Sequence, residues 1–470
     1  MPVDILASIF FDGPQVVPGW DYIKKYGPVL LTLGGLKYYF GGASNSWERD
    51  MHGKVYMITG GTSGLGASLA YELASKGAQI ILLSKSTKDS WLVEFIDDLR
   101  EKTDNFMIYA EECDLSSLYS VRKFATKWLD NQPPRRLDGV ICCAADAIPF
   151  GKKRQATQDG VERQIGINYL GHYHLLALLG PCLRSQPPDR DVRIAIATCS
   201  SQSIGDIDLD DLLWESRRYP SRSPLKVYGT SKLLLGLFAK EYQRQIDCYE
   251  RKDKAPCNVK INMVNPGVMR TPSTRRYISM GSIIGLFIYL LLLPIWFLFL
   301  KSPRQGAQSF LFVLSAPIIA KIGGGNLVQE CKILQRTRTE YQDEELQKSI
   351  FQKTEELILS IEKKSAIERK KLEKLRELQA SREQKRKEKE EESAKRRANI
   401  YEKPESPEEL EAKLSILRKL IGVLSNSGVH EPPLFPGENT AESETSGAKS
   451  QNKVKPKKLK SSKKGSSKKN

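Results

Sequence analysis

The pattern of apolar and polar positions changes character along this chain. Between positions 54 and 264, six short apolar runs recur: KVYMIT (54–59), QIILL (79–83), MIYAEE (107–112), GVICCA (139–144), VRIAIA (192–197) and VKINMV (259–264). Stretches of helical spacing separate them. Near-continuous apolar strands joined by helical crossovers predict an α/β fold with a doubly wound parallel sheet, covered on both faces. KSPRQGAQSFLFVL (301–314) and GGGNLVQ (323–329) read as its last helix and strand.

The same pattern divides the chain into segments 1–50, 51–335, 336–425 and 426–470. In the first, PVLLTLGGL (28–36) lies between Lys24, Lys25 and Lys37, Tyr38, Tyr39. Nine residues are too few to span a bilayer. The segment either lies in a membrane interface with its lysines outward or docks on the core as an apolar patch. In the third, nothing breaks a helix from Tyr341 to about Asn399. Its apolar stripe (Leu346, Ile350, Leu357, Ile361) thins after Leu378. The first part is expected to pack on the core, the rest to be a solvated single helix or a coiled coil. Ser406-Pro407-Glu408-Glu409 reads as a capping box opening a second helix. Leu410, Leu414, Leu417, Ile421 and Leu424 line one face of it, for a partner helix or for folding back on the core. Segment 426–470 is polar and Lys-rich and is expected to be disordered.

Within 51–335 lies SIIGLFIYLLLLPIWFLFL, positions 282–300. As a helix it would reach about 28 Å, close to a hydrocarbon core. Its position argues against a single span, which would separate the last helix and strand from the sheet they join. Pro294 interrupts it. Arg270, Arg275 and Arg276 precede it, and Lys301 and Arg304 follow, so both ends prefer the cytosolic side. A re-entrant hairpin or in-plane anchor satisfies these constraints, at a bilayer or a lipid-droplet monolayer. A true span and a buried core helix are the alternatives.

The net charge is +17, much of it from the last twenty residues, which carry nine Lys and no acid. That tail is weak ground for nucleic-acid binding, and solvation is the default. Eight Cys without a CxxC pair predict a reducing compartment and no zinc site. His172 and His174 are two apart and face different sides of a helix, against a metal pair. The first fifteen residues hold Asp4 and Asp12 and no basic stretch, so no secretory leader is expected.

TGGTSGLG (59–66) follows the first strand and opens a helix. Gly60, Gly64 and Gly66 allow a tight turn and close approach of backbone to a pyrophosphate, and the helix start supplies N–H groups. Thr62, Ser63 and Leu65 complete this Rossmann-type site. An acid at the end of the second strand would bind the ribose hydroxyls of NAD. Here stands Lys85, suited to a 2′-phosphate, which favours NADP(H) over NAD. In YGTSK, Tyr228 and Lys232 are four apart on one helical face. A neighbouring ammonium lowers a phenol pKa toward working pH, making an acid/base pair.

In this order the motifs resemble those of the short-chain dehydrogenase/reductase family, over about 280 of the 470 residues. TGGTSGLG is similar to its cofactor turn, and CDL (113–115) to the segment whose Asp, here Asp114, contacts adenine. IGINYLGHYHLL (165–176) resembles the helix bearing the active-site Asn, here Asn168. TCSSQS (198–203) places Ser201 at the catalytic serine, and YGTSK places Tyr228 and Lys232. NPGVMRT (265–271) resembles the segment at the nicotinamide end, with Thr271 near it. The chain looks most like the retinol-dehydrogenase-like group and its fungal membrane- or lipid-droplet-associated relatives. It departs where the family has NNAG. CCAA (142–145) removes the Asn that braces the central sheet, and Ala145 replaces a glycine beside the cofactor.

The resemblance implies hydride transfer between NADP(H) and a carbonyl or alcohol. Tyr228 is the acid, Ser201 holds the oxygen, and Lys232 tunes Tyr228 and binds the cofactor ribose. Asn168 positions a relay water. An apolar segment beside the substrate mouth points to a lipophilic substrate: a retinoid, sterol or fatty-chain compound. The expected location is the cytosolic face of the endoplasmic reticulum, a lipid droplet, or both. The C-terminal helices are the candidate site for a protein partner. The competing reading is a catalytically silent nucleotide-binding scaffold.

Overall fold

The computed structural model describes residues 15, 19–251, 253–255, 257–401 and 406–426. The chain forms two compact units that divide between Arg376 and Glu377. In the first, α1 (Trp20–Gly41) precedes β1 (Val55–Thr59), α2 (Gly64–Ser75), β2 (Gln79–Ser84), α3 (Ser90–Thr103), β3 (Ile108–Glu112), α4 (Leu118–Leu129) and β4 (Gly139–Cys142). A short α turn (Arg163–Ile165) and a π turn (Gly166–Leu170) lead into α5 (Gly171–Arg184). β5 (Val192–Ala197) ends in a 3-10 turn (Ser200–Ile204), followed by α6 (Pro224–Asp247) and β6 (Val259–Asn265). Four helices come next: α7 (Pro272–Ile278), α8 (Ile283–Leu291), α9 (Leu293–Phe299) and α10 (Pro303–Ser315). α11 (Pro317–Ile322), β7 (Leu327–Gln329), β8 (Lys332–Ile333) and the long α12 (Glu344–Tyr401) complete the run, with α13 (Pro407–Asn426) beyond.

The strands form one sheet in the order β3-β2-β1-β4-β5-β6-β7-β8, parallel up to β7, with β8 antiparallel at the edge. This is the doubly wound arrangement expected from the apolar runs. Successive side chains alternate faces. Val55 and Met57 enter one core with Leu176, Leu233 and Phe238. Tyr56 and Ile58 enter the other with Leu69, Leu73 and Phe310. Burial on both faces is why the strands read as continuous apolar runs rather than alternating ones.

The long helix contributes to the first core through Ile350, Ile358 and Ile361, all buried. Further along, Leu372 and Leu375 are exposed. In the second unit, α13 begins where Ser406 Oγ accepts the Glu409 N–H at 3.3 Å. Leu410, Leu414, Leu417 and Ile421 are exposed there, and the side chain of Leu424 lies outside those described. The tail expected to be disordered lies, from 427 onward, outside the described residues.

The apolar stretch 282–300 is two short helices, not one. Pro294 stands in the first turn of α9, and Leu292 ends α8 and starts α9. At nine and seven residues they reach about 14 and 10 Å, far short of a 30 Å hydrocarbon core. Among the described residues no helix is long and apolar enough to cross a membrane. Nor is the stretch a core helix: Ile283, Ile284, Phe287 and Leu291 are exposed. The excursion closes at its neck. Met269 and Lys301 form a parallel bridge, Arg270 N donates to Lys301 O at 2.9 Å, and Lys301 N to Val268 O at 3.1 Å. The end of α1 docks here: Phe40 meets Phe299 edge-on at 5.1 Å, and Lys37 Nζ donates to Phe297 O at 2.7 Å. The rest of α1 leaves Tyr22, Leu30, Leu31, Tyr38 and Tyr39 exposed. The docking expected of this segment thus holds for the end of the helix.

If α12 belongs to the core through its first turns only, Ile350→Ala lowers the free energy of unfolding by about 2–5 kcal/mol. Leu375→Ala changes it by less than about 0.5 kcal/mol. Denaturant titration of the two variants distinguishes these outcomes.

Candidate active site

The glycine turn between β1 and α2 is tight because three positions admit no side chain. Gly60 has φ +64°, and a Cβ there would lie 2.8 Å from Ala144 Cα. A Cβ on Gly66 would lie 2.2 Å from Gly60 O. Gly64, at φ +54°, faces the Thr271 side chain. Ser63 is the N-cap of α2 but makes no side-chain capping bond, so the first N–H groups of the helix stay available to an anion. Thr62 and Leu65 flank it, half-buried and buried. Lys85, just past β2, pairs with Asp114 at 3.4 Å. The positions expected to meet phosphate and adenine are therefore neighbours. This cradle fits a dinucleotide.

Lys232, on α6, is buried, and its Nζ donates to Ala197 O at the end of β5 (2.9 Å) while lying 5.8 Å from the centre of the Tyr228 ring. A Cβ on Gly229 would stand 2.1 Å from Ser201 O, so only glycine lets α6 press against the serine turn. Ser201 Oγ is 2.6 Å from Cys199 Sγ. Burial pushes the Tyr228 phenol up, with Cys199 and Asp146 adding to it. Burial also pushes the Lys232 ammonium down, against Cys199, Cys143 and Cys142. The lysine was expected to lower the phenol. The pair is adjacent, but desolvation outweighs it, because burial penalises the charged form of both groups.

Asn168 sits in the π turn, a rare geometry concentrated at functional sites. Its side chain is fully engaged: Oδ1 accepts Asp146 N at 2.7 Å, and Nδ2 donates to Asp146 O at 3.0 Å and Ser231 Oγ at 3.1 Å. Its carbonyl faces His172 Nδ1 at 3.1 Å. A carbonyl only accepts, so Nδ1 carries the ring proton. Nε2 then accepts from Thr59 Oγ1 at 2.9 Å, and Thr59 Oγ1 accepts Ala144 N at 3.1 Å. The tautomer follows from this network. The chain of bonds joins β1, the turn after β4 and the Asn168 helix, which is the ground the missing asparagine of CCAA would cover. Burial and Lys232 push His172 down to about 3, so it is neutral.

Motif reading did not single out Asp146, Arg163, Arg276 or Cys199 as site residues. Asp146 forms ion pairs with both Arg163 and Arg276, tying the turn after β4 to the Asn168 helix and to α7. A cavity of about 390 Å³ is lined by Ala145, Asp146, Pro272, Ser273, Arg275 and Arg276. Such pairs join residues far apart in sequence and leave no periodic trace. Cys199 and His172 lay inside motifs already quoted, so their position was the available clue.

A model of the short chain dehydrogenase family matches residues 54–203. An uncharacterized oxidoreductase of Saccharomyces cerevisiae is 46% identical over 388 residues, 78% of this chain and 95% of its own. The chain belongs to the short-chain dehydrogenase/reductase family. Two further members are similar over less of it. Human retinol dehydrogenase 13 is 32% identical over 289 residues, 62% of this chain and 80% of its own. Mouse polyprenol dehydrogenase is 31% identical over 281 residues, 60% and 77%. Membership makes this chain an oxidoreductase with a nicotinamide dinucleotide site, which is the group the glycine cradle fits.

The buried His172 of this dehydrogenase has a pH consequence. Unfolded, it takes a proton below its ordinary 6.5, and folded only near 3. The unfolded state therefore binds more protons in that window, so stability is full above pH 6.5 and falls as the pH drops toward 3. Glu362, held down to about 2, acts only below 4.5. Between pH 6 and 4.5, His172→Gln should flatten the fall by up to about 1.4 kcal/mol per pH unit. Denaturation at a series of pH values reads it; an unchanged slope refutes the neutral brace.

Proposed function

We propose that this enzyme is an NADPH-dependent reductase of lipophilic carbonyls, working at a cytosolic membrane or lipid-droplet surface. The observation that carries the reading is the placement of Tyr228 and Lys232 on one face of α6, with Lys232 Nζ 5.8 Å from the Tyr228 ring centre and Gly229 pressed against the Ser201 turn. A neutral phenol so placed is a proton donor, which is what carbonyl reduction needs of it. Gly60, Thr62, Ser63, Gly64, Leu65, Gly66 and Thr271 would hold the cofactor's pyrophosphate and nicotinamide side. Lys85 and Asp114 would meet its adenosine end, and Tyr228 and Lys232 its ribose. Bound there, NADPH would supply a hydride for the carbonyl carbon. Tyr228 gives its proton to the oxygen as the C–O double bond becomes single, and the alcohol leaves. Ser201 donates a hydrogen bond to that oxygen as its charge develops. Lys232 stabilises the phenolate left behind. The Asn168 carbonyl, whose oxygen has a second lone pair, supports a water path for reprotonation.

The lipophilic part of the reading rests on adjacency. The cavity wall at Pro272–Arg276 is the start of α7, and α7 runs into the exposed apolar α8 and α9. With α1 docked against α9, the exposed apolar surface carries Lys37 and Arg270 over its Phe297 ring. Such a patch marks a membrane or partner surface, and one built of short helices suits in-plane insertion. Retinol and polyprenol dehydrogenases among the similar proteins support a lipid-soluble substrate.

The test is NADPH oxidation by the detergent-solubilised full chain against a retinal, a sterol ketone, a long-chain aldehyde and a polyprenal. Turnover should fall at least about 10²-fold in Tyr228→Phe. Lys85→Glu should raise the KM for NADPH about tenfold and leave that for NADH unchanged, the loss of one charge-assisted contact. NADPH binding with no turnover on any member of the panel would instead mark a nucleotide-binding scaffold. In a separate measurement, Phe287→Asp with Leu291→Asp should abolish flotation with liposomes; retained flotation removes the insert from the membrane contact.

A further inference from the structure

Residues 338–362 lie beyond the last strand, yet they touch every element that carries an expected catalytic group. The serine turn is held from below. Arg338 Nη1 donates to Gln202 O at 2.6 Å and to Gly205 O at 3.2 Å. Tyr341 OH, buried, donates to Gln202 Oε1 at 2.8 Å. Gln202 immediately follows Ser201, so both its main chain and its side chain are fixed by this strap. α6 is held next. A Cβ on Gly236 would lie 2.1 Å from Tyr341 OH, one helical turn past Lys232, and Lys240 Nζ donates to Tyr341 O at 3.0 Å. The Asn168 turn is held last. Thr354 Oγ1 donates to Ile350 O at 2.7 Å and so accepts from Tyr169 OH at 2.8 Å, on the residue after Asn168. Phe351 packs on Tyr173 and Phe238 at 5.2 and 6.0 Å.

A five-residue 3-10 turn has weak internal hydrogen bonds. Its carbonyls need outside donors, and a guanidinium donor is about twice as strong as a neutral one. Arg338 is itself oriented by Glu340, with Nε to Oε2 at 3.1 Å. We propose that the strap 338–362 belongs to the reaction apparatus, with Arg338 and Tyr341 as positioning residues that set Ser201 against Tyr228. The proposal rests on the reductase reading for its effect on turnover, but not for its effect on the turn.

The experiment uses the full chain with Tyr341→Phe, Arg338→Gln and Arg338→Lys. Two readouts are taken: steady-state kinetics, and hydrogen exchange of the peptide covering Ser200–Ile204. Tyr341→Phe keeps the ring and removes one bond. It should lower kcat about tenfold with the KM for NADPH within about twofold, since misplacing a group by an ångström costs up to about 10²-fold. Arg338→Gln should cost more, and Arg338→Lys should restore part of it. Exchange in the turn should rise about tenfold in Tyr341→Phe and Arg338→Gln, with protection of α12 unchanged, as expected for a local opening. Kinetics within twofold of wild type and unchanged exchange in both overturn the proposal. So does a fall in melting temperature with exchange raised throughout, which marks a role in stability alone. If the wild-type chain reduces no carbonyl, the reductase reading fails, and the exchange result alone then decides whether the strap holds the turn.

Discussion

The site depends on one constraint, the parallel pairing of β1 with β4. The register sets Thr59 beside Cys142, and here the winding of the sheet reverses: β2 and β3 lie to one side, β4 to β7 to the other. Parallel strands deliver all their carboxyl ends to one rim, and a reversal opens a crevice there. Everything expected to do chemistry leaves from that rim. The glycine turn follows β1, Asp146 follows β4, the serine turn follows β5, and Thr271 follows β6. Asn265, the last residue of β6, ties back by donating to Ser200 Oγ at 3.1 Å.

That pairing must be kept without the family's asparagine after β4. The chain does so with a hydroxyl and an imidazole. Thr59 Oγ1 accepts the Ala144 N–H and donates its own hydrogen bond to His172, which donates in turn to the Asn168 carbonyl. A buried polar group is costly when unpaired and specific when fully paired. Here the hydroxyl and the imidazole each have a partner on both sides. The same bonds fix the imidazole in one tautomer and oppose its protonation, so the brace is rigid at neutral pH and weak in acid.

Most of the sheet was legible in the sequence because its strands are buried on both faces and bounded by helical stretches. The motif residues were legible because backbone geometry dictates them: Gly60, Gly66 and Gly229 stand where no Cβ fits, and Tyr228 and Lys232 share a helical face. Two kinds of fact were not. One is the balance between burial and charge at Tyr228, since depth is a property of the whole fold. The other is contact between distant segments. The stripe of Ile350 and Ile361 announced packing, but nothing in it named Gln202 or Tyr169 as neighbours. Asp146 with Arg276, and Lys37 with Phe297, were equally silent, because an ion pair or an aromatic contact has no period along the chain.

The apolar excursion shows how such an insert coexists with a closed fold. Its entry and exit are stitched together at Met269 and Lys301, and the sheet resumes through α10 with a capping box at Ser302 and Gln305. Two adjacent strands of a neck cannot lie on opposite sides of a hydrocarbon layer some 30 Å thick. The two ends of the insert therefore lie on one side of any such layer. The neck also carries Arg270, whose guanidinium lies 4.5 Å from the Phe297 ring centre, and Lys301, which pairs with Glu330 beside β7. The base of the insert is thus bound to the turn between β7 and β8, while its helices project apolar side chains outward. The helix α7 joins those helices to Arg276, whose guanidinium pairs with Asp146 at the rim.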